Sequence, residues 1–395
     1  MIKFDKKYLF LMALYFCMQI SLACYGPYLN VFFKEQGIST SVIGFIAAIA
    51  PLAAIFIQPN WTNLSNKTGK KHTILLFMYI CCAVSILLYY FVSSVMGYIV
   101  VTIIYYFFFT GIPALQDAYV LGLIGKDGHR YSTIRIAGTL GYAFGVIAFG
   151  KIFDLHLSWI FAFSSVFFVV TIAIFVKGVP KVDSEPISKK TAKGGDGILS
   201  NKLVLLILVL SLAVYMSVSF VGSFIGIYIV DMGYSTTYVS LCTFISTFSE
   251  LPVLFLINKL INKFGQMKLL IFSGLLMAVR MLFLSSGILW LVVLMQATQG
   301  LTYMINFYCS STLIFEIMPE HLKAKGQSMV FLVQSGLGSI IGNVVGSLIA
   351  DKLGFGFAAT FIIIGLVTLA LTLMVLVYYM KNKNKIESYG NMANN

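Results

Sequence analysis

The chain has 395 residues, of which 59% are hydrophobic and only 10% charged, and its formal net charge is +13. A soluble domain of ordinary composition has about 25% charged residues, so that class is excluded and the chain is built for a lipid solvent. Its basic excess does not call for nucleic acid, because topology accounts for it, as the distribution of Lys and Arg shows below.

Apolar stretches of about 20 residues are long enough to cross a bilayer as helices. They fall at 8–33, 40–61, 73–95, 98–121, 131–153, 157–177, 203–230, 237–258, 268–287, 290–317, 327–350 and 355–380. The sequence predicts an all-α membrane protein with twelve transmembrane helices in two pseudo-symmetric six-helix bundles. The boundaries are an N-terminal bundle over 1–177, a linker over 178–202, a C-terminal bundle over 203–380 and a disordered cytoplasmic tail over 381–395. The leading MIKFDKK precedes an apolar span too long for a signal-peptide core, so the first helix is expected to be retained. Gly26-Pro27 inside that span predicts a kink.

Twenty-two of the 27 Lys and Arg residues fall before the first span, in alternate loops and in the tail, whereas the opposite loops hold only Lys34, Lys151 and Lys352. The positive-inside rule then places both termini and the linker in the cytoplasm, with the cell membrane as the expected location. Three glycosylation-like triplets starting at Asn60, Asn63 and Asn66 lie on the cytoplasmic side and are discounted. The six Cys (17, 24, 81, 82, 242 and 309) lie within spans and show no metal or disulfide spacing. With no HExxH, no phosphate-binding GxxxxGK[ST] and four scattered His residues, the sequence offers no catalytic residue, no metal site and no cofactor, and predicts that the protein is not an enzyme.

An internal repeat is legible in the loops. Asn66-Lys67-Thr68-Gly69-Lys70 follows the second span and Asn262-Lys263-Phe264-Gly265-Gln266 follows the eighth, with Gly69 and Gly265 available for tight turns. Two parallel six-helix repeats with a site between them is an architecture of secondary transporters. Gly338, Gly342 and Gly346 recur at four-residue spacing in the eleventh span, opposite Gly44 and Ala48 of the second, which predicts either a sliding or a static close helix contact.

Four ionisable residues sit inside apolar sequence: Asp117 and Arg135 in the first half, Glu250 and Arg280 in the second. Charges within a bilayer are costly and mark pathways or buried pairs. Asp117 is placed to pair with Arg135, and Glu250 and Arg280 are expected near the midplane. Glu316 is expected to be solvated, while Asn306 and Gln334 either line a cavity or bond between helices.

On these residues the chain resembles the major facilitator superfamily, and within it the branch of lactose permease with its oligosaccharide, nucleoside and phenylpropionate relatives. The most specific likeness is Arg135-Ile136-Ala137-Gly138-Thr139-Leu140-Gly141-Tyr142, similar to the branch's fifth-helix pattern. Asp117-Ala118-Tyr119 resembles its fourth-helix carboxylate, Glu250 its eighth-helix carboxylate, and Met277-Ala278-Val279-Arg280 its ninth-helix arginine. The resemblance implies that Asp117 and Arg135 hold substrate, that Tyr142 stacks on a sugar ring, and that Glu250 binds substrate and communicates with a proton site near Arg280. Departures are Thr302 and Ile305 at the branch's tenth-helix His and Glu positions, and Asn66 at the superfamily's loop acid.

The expectation is a secondary transporter in the bilayer, moving a small polar solute of the sugar or nucleoside class with protons by alternating access. Asp117, Arg135, Tyr142, Glu250 and Asn306 are the candidate substrate residues, and Glu250, Arg280 and Asp117 the candidate coupling residues. Gly44, Gly69, Gly265, Gly338, Gly342 and Gly346 serve gating or packing. No nucleic acid partner is expected and no oligomer is required. The alternatives are an exporter of amphipathic drugs or aromatic compounds, and a non-transporting membrane receptor.

Overall fold

The computed structural model describes residues 6–125, 131–182 and 201–382. The central part of the linker, the end of the tail and His129 lie outside the described residues. Among the described residues, eleven helical spans are long and apolar enough to cross a membrane: Lys6–Glu35, Thr40–Thr68, Lys71–Phe91, Val95–Ile124, Tyr131–Phe153, Trp159–Gly178, Lys202–Asp231, Thr236–Phe264, Gln266–Leu284, Lys323–Asp351 and Gly356–Lys381. The remaining predicted span, the tenth in chain order, is also helical, but it is divided into Leu289–Gln296, a π-helical turn over Gly300–Met304, and Ile305–Ile317.

Proline explains most of the other interruptions. Its ring clashes with the carbonyl four residues earlier and it lacks an N–H. Pro51 and Pro113 stand four residues after Ala47 and Phe109, where the preceding helical segments end. The predicted kink in the first span is a turn over Gly26–Tyr28, between Lys6–Tyr25 and Leu29–Glu35. The two repeated loops each place glycine at positive φ, Gly69 at 69° and Gly265 at 81°, a backbone region that a side chain would strain.

The chain forms two compact units. The first comprises Met1–Ile38, Ile49–Lys190 and Ile229–Phe244, and the second Ser39–Ala48, Thr191–Tyr228 and Ile245–Asn395. The division follows the sequence midpoint except for two exchanged segments. Residues 39–48 pack with the eleventh span, and 229–244 belong with the first-half helices.

Lipid tails are as apolar as leucine, so close packing and interhelical hydrogen bonds hold such helices together. In the first unit, Ser21 and Ser164 share a hydrogen bond of 3.2 Å, Ser165 bonds to the Ala83 carbonyl, and Tyr89 stacks on Phe161 with centroids 4.6 Å apart. In the second, Ser217 bonds to Thr368 across the seventh and twelfth spans at 2.8 Å. The glycine stripe of the eleventh span does not face Gly44. A Cβ on Gly342 would lie 2.2 Å from the Met216 carbonyl, and those on Gly338 and Gly346 would meet Tyr215 and Phe220, all on the seventh span. Gly44 instead meets Ser347 and Asn343 on another face of the eleventh span.

Candidate functional site

In the first unit, Asp117 lies midway along Ile112–Ile124, five residues past the start set by Pro113. Its Oδ2 accepts from Arg135 Nη1 at 2.6 Å and its Oδ1 from the Tyr15 hydroxyl at 2.6 Å. Arg135 Nη1 also reaches the Tyr131 hydroxyl at 3.0 Å, one helical turn earlier on its own helix. The Arg135 side chain is 62% exposed and that of Asp117 27%, so the pair is accessible. Beside it, Gln116 is buried and fixed by the Tyr79 hydroxyl at 2.6 Å. Tyr142 lies two turns beyond Arg135 on the same helix and is half-buried.

The second unit is built differently. Arg280 is fully buried, fourteen residues into Gln266–Leu284 and closer to its end than the sequence suggested. Its Nη2 donates to Gln296 Oε1 at 2.7 Å, and its Nη1 to Gln299 Oε1 and to Thr302 Oγ1, the latter at 3.2 Å. Ser246 donates to the same Gln296 oxygen at 2.9 Å. Glu250, halfway along the eighth span and half-buried, lies in the field of Arg280, with Gln299 as its side-chain hydrogen-bond neighbour.

The break in the tenth span serves this network. The Gly300 N–H donates to Ser249 Oγ at 3.0 Å, and a Cβ on Gly300 would lie 2.2 Å from the Ser249 carbonyl. The tenth span thus approaches the eighth one residue from Glu250, and its backbone bonds outward there instead of along its own helix. The π-helical turn that follows carries Thr302 to the guanidinium. Single-turn π segments commonly occur at functional sites.

Gln334, in a second π-helical segment over Leu332–Gly338, makes interhelical bonds to Ser310 at 2.7 Å and Ser211 at 3.4 Å. Asn306 is fully buried, and neither polar atom of its side chain has a partner. Glu316 accepts from Gln266 at 2.9 Å in an exposed position. Among the described residues no cluster of His, Cys, Asp and Glu could hold a metal ion.

Two sites, each organised around an arginine within the spans, fit the superfamily that the sequence suggested, and a family comparison decides it. The MFS_1 like family pattern matches residues 8–363. The chain belongs to this family. It is 24% identical over 369 residues to a maltose permease of Geobacillus stearothermophilus, covering 92% of each chain. To the uncharacterized transporter YwbF of Bacillus subtilis (strain 168) it is 23% identical, covering 91% of this chain and 90% of that one. Its fold matches the nucleoside transporter NupG with a TM-score of 0.83 at 15% identity, over 95% of this chain and 99% of that one. The POT family transporter PepTSo matches with a TM-score of 0.77 at 10% identity, over 96% and 99%. The protein is a multi-pass membrane transporter of the major facilitator type, a class without enzymatic chemistry.

Sequence reasoning missed Tyr15, Ser246, Gln296 and Gln299. The two glutamines, both within an apolar span, carried the signal that could have found them.

Proposed function

We propose that the protein is a proton-coupled symporter of a sugar or nucleoside-like solute, working by alternating access in the cell membrane with both termini in the cytoplasm. The observation that carries this reading is the accessible Asp117–Arg135 pair. A carboxylate offers about four lone-pair sites and a guanidinium five N–H donors. Tyr15 and Arg135 satisfy part of the carboxylate and orient it, and the pair can still accept from and donate to neighbouring hydroxyls. Vicinal hydroxyls of a pyranose or a ribose both donate and accept, so they complement such a pair. An amphipathic drug would desolvate it without replacing its bonds, at a cost that polar groups impose whenever they are left unpaired.

Relatives named for maltose and for nucleosides support the same solute class. Tyr142 supplies a ring face for stacking. Glu250 binds from the second half and carries the proton, coupled to Arg280, with Asp117 the next candidate carrier. Asn306, whose amide atoms have no partner, has hydrogen-bonding capacity to spare.

The test is a thermal-shift screen of the purified protein across disaccharides, nucleosides, aromatic acids and cationic dyes, since a ligand stabilises the folded state by mass action. A sugar or nucleoside should raise the Tm of the wild type but not that of Arg135→Lys. Stabilisation by dyes alone would replace this reading with that of an exporter.

A further inference from the structure

The linker is tied down where it leaves the first six helices. The sixth span, Trp159–Gly178, gives way at Val179, whose backbone is extended at φ −108° and ψ 116°. Pro180 accounts for this, because a proline disfavours helical backbone in the residue before it and cannot itself donate to a helix. Val179 is nonetheless buried, and two hydrogen bonds just beyond it converge on one side chain. The Tyr119 hydroxyl donates to the Pro180 carbonyl at 2.5 Å and accepts from the Val182 N–H at 3.0 Å. A single phenol on the fourth span thus holds both ends of a short stretch of linker backbone.

The seat of that stretch is aromatic and reaches the solute carboxylate. The Tyr119 ring lies 6.0 Å from that of Phe175 and 5.8 Å from that of His72, and His72 stacks on Phe175 at 4.4 Å. Tyr79 meets the same phenylalanine in a T-shaped contact at 5.4 Å and donates its hydroxyl to Gln116. Gln116 and Tyr119, three residues apart on the fourth span, share a helix face, and Asp117 stands between them in sequence. At the border of the seat, Phe10 of the first span presses on the end of the sixth, where a Cβ on Gly178 would collide with its ring. Five residues further along the first span is Tyr15, which donates to Asp117. The first and fourth spans therefore each touch both the seat and the hold on the carboxylate.

We infer that residues 179–182 form a strap whose seating is coupled to the hold on Asp117, so that tension on the linker loosens the first-half site and loosening that site frees the strap. Such a coupling acts equally in both directions. The chemistry suits a reversible contact, because Pro180, Lys181 and Val182 are exposed and water can replace both hydrogen bonds on release. The linker joins the two halves of the sequence, and the strap gives it a means of acting on the site. That bearing on transport rests on the role proposed above for Asp117, whereas the coupling belongs to the chain without solute.

Hydrogen–deuterium exchange of the purified, solute-free protein reads the Val182 N–H directly. Tyr119→Phe keeps the ring and removes both hydrogen bonds, and should speed exchange at Val182 about tenfold. Tyr79→Phe and Asp117→Ala remove neither of those bonds, yet each should speed it about fivefold. Ser21→Ala, which removes a bond elsewhere in the same unit, should leave it as in the wild type. In the reverse direction, Tyr119→Phe should raise phenylglyoxal modification of Arg135 several-fold, since a loosened Asp117 frees the guanidinium paired with it. The inference is overturned if Val182 exchanges as fast in the wild type as in Tyr119→Phe, or if either Tyr79→Phe or Asp117→Ala leaves it unchanged. Unaltered Arg135 reactivity in Tyr119→Phe, or exchange rising in parallel along the seventh span as in a loosened fold, would overturn it too. Solute enters neither measurement, so a failure of Asp117 as a solute residue would appear in transport with the coupling intact.

Discussion

At the scale of single residues, the first-half site turns on how firmly Asp117 is held. A hydrogen bond to a charged group contributes about 1.5–3 kcal/mol, so Tyr15→Phe, which removes one such bond and keeps the ring, should weaken solute affinity about tenfold with little change in Tm. Affinity equal to wild type would reduce Tyr15 to packing. Arg135→Lys keeps the charge but loses the planar fork, and should lower uptake by more than about tenfold while the protein still inserts and folds. Asp154 makes a pH-dependent contribution outside the spans. Burial pushes its carboxyl up, but hydrogen bonds from Thr236 and Thr237 outweigh this and hold it below the usual carboxylate range. A depressed folded-state value means that the stabilisation is present above the unfolded value and lost as pH falls through the folded one. The Tm difference between wild type and Asp154→Ala should therefore persist from about pH 8 to about pH 4 and shrink only below that. Asp117, Arg135, Glu250 and Arg280 were legible because charge stands out against apolar sequence. Tyr15 was not, because one tyrosine among many in a helix 102 residues away carries no signal until the fold brings it to the carboxylate.

At the scale of elements, glycine contacts separate tight from loose helix pairs. Gly342 is pressed against the Met216 backbone carbonyl at 2.2 Å from an added Cβ, and backbone cannot move aside, whereas Gly222 has nothing within 4 Å. Overpacking costs about 1–3 kcal/mol, and alanine is favoured over glycine in a helix interior by up to about 1 kcal/mol. Gly342→Ala should thus lower the Tm and Gly222→Ala should hold or raise it. Equal shifts in both variants would mean that the seventh and eleventh spans tolerate separation. The four-residue glycine spacing was readable in the sequence, but not which helix it faced, since small residues license close approach without naming the partner. The proline breaks at Pro51 and Pro113 follow local rules. The break before Gly300 follows no such local rule, and it coincides with a hydrogen bond to Ser249 of another helix.

At the scale of the whole molecule, twelve spans and their repeat were legible because bilayer thickness and backbone satisfaction leave a chain few ways to cross lipid. The exchange of residues 39–48 and 229–244 between compact units was not, since it depends on which helix ends meet. The proposed coupling requires that solute and driving ion bias the same conformational equilibrium, and a ligand shifts an equilibrium only by its differential affinity for the two states. Glu250 is suited to carry that bias. It can be charged or neutral, it lies in the field of the buried Arg280, and its neighbour Gln299 is itself bonded to that guanidinium. A change of charge at Glu250 therefore alters the forces on helices eight, nine and ten together. Glu250→Gln fixes the neutral shape permanently, so the variant should lose gradient-driven accumulation and keep pH-insensitive exchange of solute. The measurement is uptake into proteoliposomes with and without an imposed pH gradient, compared with counterflow in the same preparation. Accumulation persisting in Glu250→Gln would pass the carrier role to Asp117. A wild type that ignores the gradient while still exchanging solute would remove protons from the mechanism and leave the solute site standing.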